Sequence, residues 1–117
     1  HLTMYNTAIG VFLDGRIIGY AHVNKYNSES PCYKDKRCVS LGFVIGKEYQ
    51  NRGFGTETLA AVTEYLKGIF DFCFADCFLD NGASRRIIEK CGYKYFETYT
   101  MFFRALNEEK TCDSFVK

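Results

Sequence analysis

A chain of 117 residues can build one packed core but not two, so a single domain spanning 1–117 is expected. Its 47% hydrophobic and 25% charged content excludes a disordered or fibrous chain, and a formal net charge of +1 with scattered basic residues argues against a nucleic-acid partner. No apolar run approaches the ~20 residues that cross a bilayer, so no membrane partner is expected either.

Thr7–Leu13 and Arg16–Tyr26 read as two strands, because the intervening Asp14-Gly15 supplies the positive backbone angles of a tight hairpin. Along the second strand Ile18, Tyr20, His22 and Asn24 share one face, and Ile17, Gly19, Ala21 and Val23 the other. Residues 27–37, with Ser, Pro, Lys and Asp, read as a loop. Cys38–Ile45 is a third strand, closed by Gly46.

From Thr56 the period changes: Leu59, Val62, Leu66 and Ile69 recur at helical spacing, with Glu57 in the first turn and Gly68 near the end. Phe72–Leu79 is an apolar run of strand length, broken by Asp76. A second helix follows, capped by Asn81 and closed by Lys90 and Gly92. Tyr93–Ala105 and Thr111–Val116 then read as strands around a polar turn at Asn107-Glu108-Glu109. The predicted order is β-β-β-α-β-α-β-β, a mixed α/β fold with helices packed on a mostly antiparallel central sheet.

Six cysteines (Cys32, Cys38, Cys73, Cys77, Cys91 and Cys112) raise the question of disulfides, but three of them lie in apolar, core-like contexts. Reduced thiols and a cytoplasmic location are the expectation. No Cys-x-x-Cys pair occurs and the two His are not spaced with the cysteines as zinc ligands, so no metal is expected.

The chemistry-bearing segment is Gln50-Asn51-Arg52-Gly53-Phe54-Gly55-Thr56, at the junction of the third strand and the first helix. Two glycines let the backbone turn sharply and approach a ligand closely. The first N–H groups of a helix lack intrahelical partners and lie at the positive end of its dipole, which makes the junction an anion site. No Gly-Lys-Ser/Thr follows, so it is not a P-loop, and the third glycine and downstream acid of a dinucleotide fingerprint are missing.

The run Val44-Ile45-Gly46-Lys47-Glu48-Tyr49-Gln50-Asn51-Arg52-Gly53-Phe54-Gly55 resembles the signature loop of the GNAT superfamily of acetyl-CoA-dependent N-acetyltransferases, Gln/Arg-x-x-Gly-x-Gly/Ala. Asn81-x-x-Ser84, followed by Ile88-Glu89-Lys90-Cys91-Gly92-Tyr93, is similar to the second family segment in the branch that acetylates ribosomal-protein N-termini. The resemblance spans Thr7 to Val116 and implies the GNAT-like acyl-CoA acyltransferase fold, acetyl-CoA as co-substrate, and an amine acceptor that is a peptide N-terminus or a small molecule. Family members begin with a further strand and one or two helices, whereas only His1 to Asn6 precede the first hairpin here, so an N-terminal truncation is expected.

The resemblance also implies roles. The backbone near Phe43 and Ile45 pairs with the pantetheine arm, and Gln50, Asn51, Arg52, Gly53, Phe54, Gly55 and Thr56 surround the pyrophosphate. Asn51 and Arg52 either supplement the loop amides or are solvated surface residues. Asn81 hydrogen-bonds pantetheine, caps its helix, or does both. A backbone N–H near Val44 or Ile45 polarises the thioester carbonyl.

Ser84 donates to the departing thiolate or caps the second helix. Ile88 stands where many members carry a tyrosine acid. Asp76, which shares a strand face with Phe74 and Phe78, is the candidate base or else an ordinary strand carboxylate, and His22 is a second candidate. Cys77 and Cys91 have no adjacent His and read as buried fillers. Transfer from the acyl donor to a primary amine by direct attack is the leading expectation. A non-catalytic acyl-CoA-binding module and an interaction domain are the alternatives, and a sheet edge exposed by the short N-terminus favours a homodimer.

Overall fold

The computed structural model describes residues 7–26 and 30–117. In chain order they form β1 (Thr7–Leu13), β2 (Arg16–Tyr26), β3 (Cys38–Ile45), a short 3-10 turn (Lys47–Tyr49), α1 (Phe54–Lys67), β4 (Phe72–Phe78), α2 (Gly82–Lys90), β5 (Lys94–Phe103) and β6 (Glu108–Val116). The expected order of strands and helices is the observed one. Asp14 and Gly15 take φ of 50° and 79°, the left-handed pair that a tight hairpin needs. Of the loop expected over 27–37, residues 27–29 lie outside the described residues and the rest is a succession of turns.

Strand β4 ends one residue before the expected Leu79 and β5 is shorter than the expected Tyr93–Ala105, and two further boundaries differ for identifiable reasons. Helix α1 starts at Phe54 rather than Thr56, because Gly53 acts as N-cap in the left-handed region, φ 85°, with no capping side chain. The final hairpin turns before Glu108, where Asn107 takes φ 54°, so Glu108 and Glu109 are strand residues opposite Phe103 and Phe102. An edge ladder exposed to water accepts such charges.

The six strands form one sheet in the order β1-β2-β3-β4-β6-β5. All described pairs are antiparallel except β3 with β4, whose parallel ladder runs only from Cys38↔Phe72 to Leu41↔Ala75. Beyond it, Gly42–Ile45 and Asp76–Phe78 have no partner in each other. The sheet therefore splays at its centre.

Both helices cover the same face. Alternation brings Val23, Val39, Leu41, Cys73, Ala75 and Phe115 to that side, where they meet Leu59 and Leu66 of α1 and Ile88 of α2 in one core. Leu66 is wholly buried, worth about 1.5–3 kcal/mol in transfer terms. Asp113 also points into this face, paired with Arg85 of α2 and accepting a hydrogen bond from Thr98.

The opposite face carries an aromatic cluster. Tyr33 stands edge-on to Phe72 and Phe74, with ring centroids 4.8 and 5.3 Å away, and to Phe96 at 5.2 Å. Phe96 falls at the register shift of β5 between Tyr95 and Glu97. Among the described residues all six cysteines are free, five of them buried and Cys32 exposed. No described helix is long and apolar enough to cross a membrane.

Candidate functional site

The splay between β3 and β4 opens into a cleft of about 590 Å³, bounded by β3, the 50–56 loop and the first face of α2. The phase of the β2/β3 ladder decides which backbone groups reach it. Gly46 N–H donates to Ile18 at 2.7 Å, and Val44 and Gly42 lie opposite Tyr20 and His22 in the same register. Antiparallel pairs alternate between bonded and unbonded, so Gly42 and Val44 turn their peptide groups to β2, whereas Phe43 and Ile45 turn theirs to the gap. The Ile45 carbonyl is taken by Gln50 Nε2 at 3.0 Å. The Phe43 N–H, the Phe43 carbonyl and the Ile45 N–H are left facing the cleft, an open sheet edge inside the molecule. Val44, by the same alternation, has no amide to offer there.

The loop completes one end. Asn51 and Gly53 have φ of 62° and 85°, and this left-handed backbone gathers peptide N–H groups into a concave anion-binding surface. Gly53 accepts from the Glu57 amide at 3.0 Å, so the amides of Phe54, Gly55 and Thr56 are the unpaired first N–H groups of α1. Gly53 has nothing within 4 Å of where a Cβ would stand. Gly55 differs: a Cβ there would lie 2.8 Å from Ile87, so its missing side chain lets α1 and α2 approach.

The predicted site residues divide clearly. Phe43, Val44, Ile45, Gln50, Asn51, Gly53, Gly55, Thr56, Asn81 and Ser84 line the cleft together. Arg52 and Phe54 do not; the Arg52 guanidinium lies 5.8 Å from the Tyr49 ring centre, and the Phe54 ring packs near the same tyrosine. Asn81 accepts the Ser84 N–H at 3.1 Å as helix cap, leaving its side-chain NH2 free to donate into the cleft. The Ser84 hydroxyl has no partner among the described residues.

Sequence reasoning missed Ala83, Arg86, Ile87 and Lys90, which also line the cleft. Their spacing of i, i+3, i+4 and i+7 was the available signal for one helical face. Arg86 and Lys90 add positive charge on the side opposite β3.

Asp76 is not among these residues. Cys73, Ala75 and Cys77 of β4 join the helix-side core, so Asp76 projects from the other face, where it accepts a hydrogen bond from Tyr99 at 2.6 Å. Burial, with Asp76 next in effect, pushes the Tyr99 phenol well above its ordinary range and keeps it the donor. His22 is exposed on that same face, its ring above Gly42, where a Cβ would come within 2.4 Å of Cε1. Ile88 is fully packed in the core. Burial raises the Cys77 and Cys91 thiols, which removes the thiolate a covalent route needs.

Among solved structures, a GNAT-family acetyltransferase from Bacillus anthracis is similar at 21% identity and TM-score 0.72, covering 89% of this chain and 60% of its own. A ribosomal-protein-alanine N-acetyltransferase from Brucella melitensis is similar at 16% identity and TM-score 0.74, covering 92% and 65%. The microcin C7 self-immunity acetyltransferase MccE, solved in complex with acetyl-CoA and AMP, is similar at 15% identity and TM-score 0.74, covering 94% and 59%. The chain thus spans 59–65% of the length of these three, and at such identities the likeness establishes the fold. No curated protein matches by sequence. The family model for the acetyltransferase (GNAT) domain matches residues 2–94, which include β3, the loop and both helices, and the chain belongs to that family.

Proposed function

We propose that the protein is an acetyl-CoA-dependent N-acetyltransferase acting on a primary amine. The reading rests on one observation above all: the strand splay opens onto the uncapped N-terminus of α1, so a cleft lined by unpaired strand amides ends in an anion site. Phe43 and Ile45 bind the amide-bearing pantetheine arm as an added strand would. The amides of Phe54, Gly55 and Thr56 hold the pyrophosphate, with Arg86 and Lys90 supplying charge.

Asp76 removes the proton of an incoming ammonium from the far face of the sheet, and the neutral amine attacks the thioester carbonyl. The Ile45 N–H, turned to the gap, is the donor toward the developing oxyanion. The C–N bond forms, the C–S bond breaks, and Ser84 hydrogen-bonds the departing thiolate, which leaves as CoA thiol after taking up the second proton that the attacking nitrogen sheds. Tyr99 holds the Asp76 carboxylate in place.

Acetyl-CoA at 100 times its Kd stabilises a binding protein by about 2.7 kcal/mol, several degrees in Tm for a domain of this size. Thermal-shift titration, followed by thiol release with a panel of amines and peptide N-termini, tests the proposal. A shift without turnover would leave an acyl-CoA-binding module, and no shift would overturn the reading altogether.

A further inference from the structure

A second cavity, of about 270 Å³, lies on the helix-free face of the sheet beside the point where β3 and β4 part. It is several times the ~30 Å³ that one water occupies in the liquid, enough for a short chain of heavy atoms. Its floor is a single row across three strands: Asp76 of β4 is opposite Ser114 of β6, and Ser114 is opposite Glu97 of β5. With strands ~4.8 Å apart, the two acidic residues stand about 10 Å apart at their Cα atoms, on either side of a buried serine. Phe74 and Met101 supply apolar wall, and Tyr99, held on Asp76, closes one side.

The two carboxylates are differently placed. Asp76 sits next to the strand splay and is hydrogen-bonded by Tyr99; Glu97 is exposed and makes no ion pair or hydrogen bond within the described residues. No cationic side chain is among the described residues that line the cavity. A cavity with apolar walls and two separated negative charges, one free, is complementary to a ligand with two separated positive charges.

Building on the acetyltransferase reading, we propose that this cavity is the acceptor pocket and that it selects an amine carrying a second positive charge, as a short alkyl diamine does. The reacting nitrogen meets Asp76 at the splay, Glu97 pairs with the distal ammonium, and Phe74 and Met101 pack against the methylene chain. Glu97 is then a specificity residue with no part in the proton transfer.

The test titrates 1,4-diaminobutane and n-butylamine into the full chain in the presence of CoA, by calorimetry or NMR, for the native protein and Glu97→Gln. Diamine binding at least tenfold tighter than monoamine, weakened about tenfold by Glu97→Gln, is the expected result, with the monoamine indifferent to the substitution. CoA affinity is measured alongside and stays unchanged, because Glu97 lies on the other face from the donor cleft. Equal affinity for the two amines, no diamine binding by a protein that still binds CoA, or a diamine affinity unaffected by Glu97→Gln would overturn the proposal while leaving the acetyltransferase reading standing. Failure to bind CoA would instead strike at that reading.

Discussion

Replacing Thr56 by Glu separates the anion-site reading from ordinary helix stability, because the two effects have opposite signs. Thr56 is the third residue of α1 after its N-cap Gly53 and lines the cleft. A carboxylate in the first turn of a helix lowers the free energy of the ligand-free fold by about 0.3–1 kcal/mol through the macrodipole. The same carboxylate would stand beside a pyrophosphate. Two like unit charges 4 Å apart repel by roughly 1 kcal/mol in water and ~4 kcal/mol at an effective dielectric constant of 20. The open cleft lies between these limits, so acetyl-CoA affinity falls between about fivefold and several hundredfold. The Cys91 thiol donates to the Thr56 backbone carbonyl, a contact that the substitution leaves in place. Calorimetric titration with acetyl-CoA and a ligand-free melt on the same preparation measure both quantities. Unchanged affinity would refute placement of the pyrophosphate at the start of α1; a fall in ligand-free Tm that parallels the loss of binding would show that the variant had merely damaged the fold.

Other consequences concern the scaffold. Arg85→Ala leaves Asp113, only 5% exposed, with Thr98 as its remaining partner. Because Arg85 is itself partly solvated, the expected loss in urea unfolding is about 2–4 kcal/mol, below the top of the range for a broken buried pair. A change under 1 kcal/mol would show that the pair is solvent-screened. Alkaline pH should destabilise the protein. Burial raises the Cys73 thiol to about 11 and also lifts Tyr93 and Tyr99, so the unfolded chain releases protons that the folded one keeps. Stability from these groups is fully present below the unfolded thiol pKa of about 8.5 and is lost as pH rises through the folded values; unfolding midpoints that stay flat from pH 8 to 11 would contradict it. Finally, iodoacetamide should label Cys32 in the native protein and reach the five buried cysteines only on unfolding, and intact mass after acetyl-CoA treatment should show no acetyl thioester on Cys77 or Cys91.

The hairpin at Asp14-Gly15 and the Asn81 cap were legible in the sequence because each depends on one or two residues whose backbone or side-chain preference is local. The start of α1 was not, since a left-handed glycine cap carries none of the side-chain oxygens by which helix starts are recognised. The donor cleft was readable for a similar reason: β3, the loop and α1 are consecutive, so spacing along the chain is nearly spacing in the molecule. The far face was hidden. Asp76, Tyr99 and Glu97 become neighbours only because β6 inserts between β4 and β5, and period-2 alternation says which face a residue takes without saying which strand lies beside it. The same limit hid that Ser84 and Asp76 approach the splay from opposite faces of the sheet.

The short parallel ladder between β3 and β4 also sets where the sheet is most thinly joined. It divides the sheet into two halves, β1-β2-β3 on one side and β4-β6-β5 on the other, with the 3-10 turn and α1 crossing from one half to the other. The seam rests on four residue pairs, Cys38–Leu41 against Phe72–Ala75, and closes a loop about as long as the one that β6 closes against β4. It is the shortest ladder among the described strand pairs. The strand opening where a ligand is proposed to enter is thus the place where the two halves share the fewest ladder pairs.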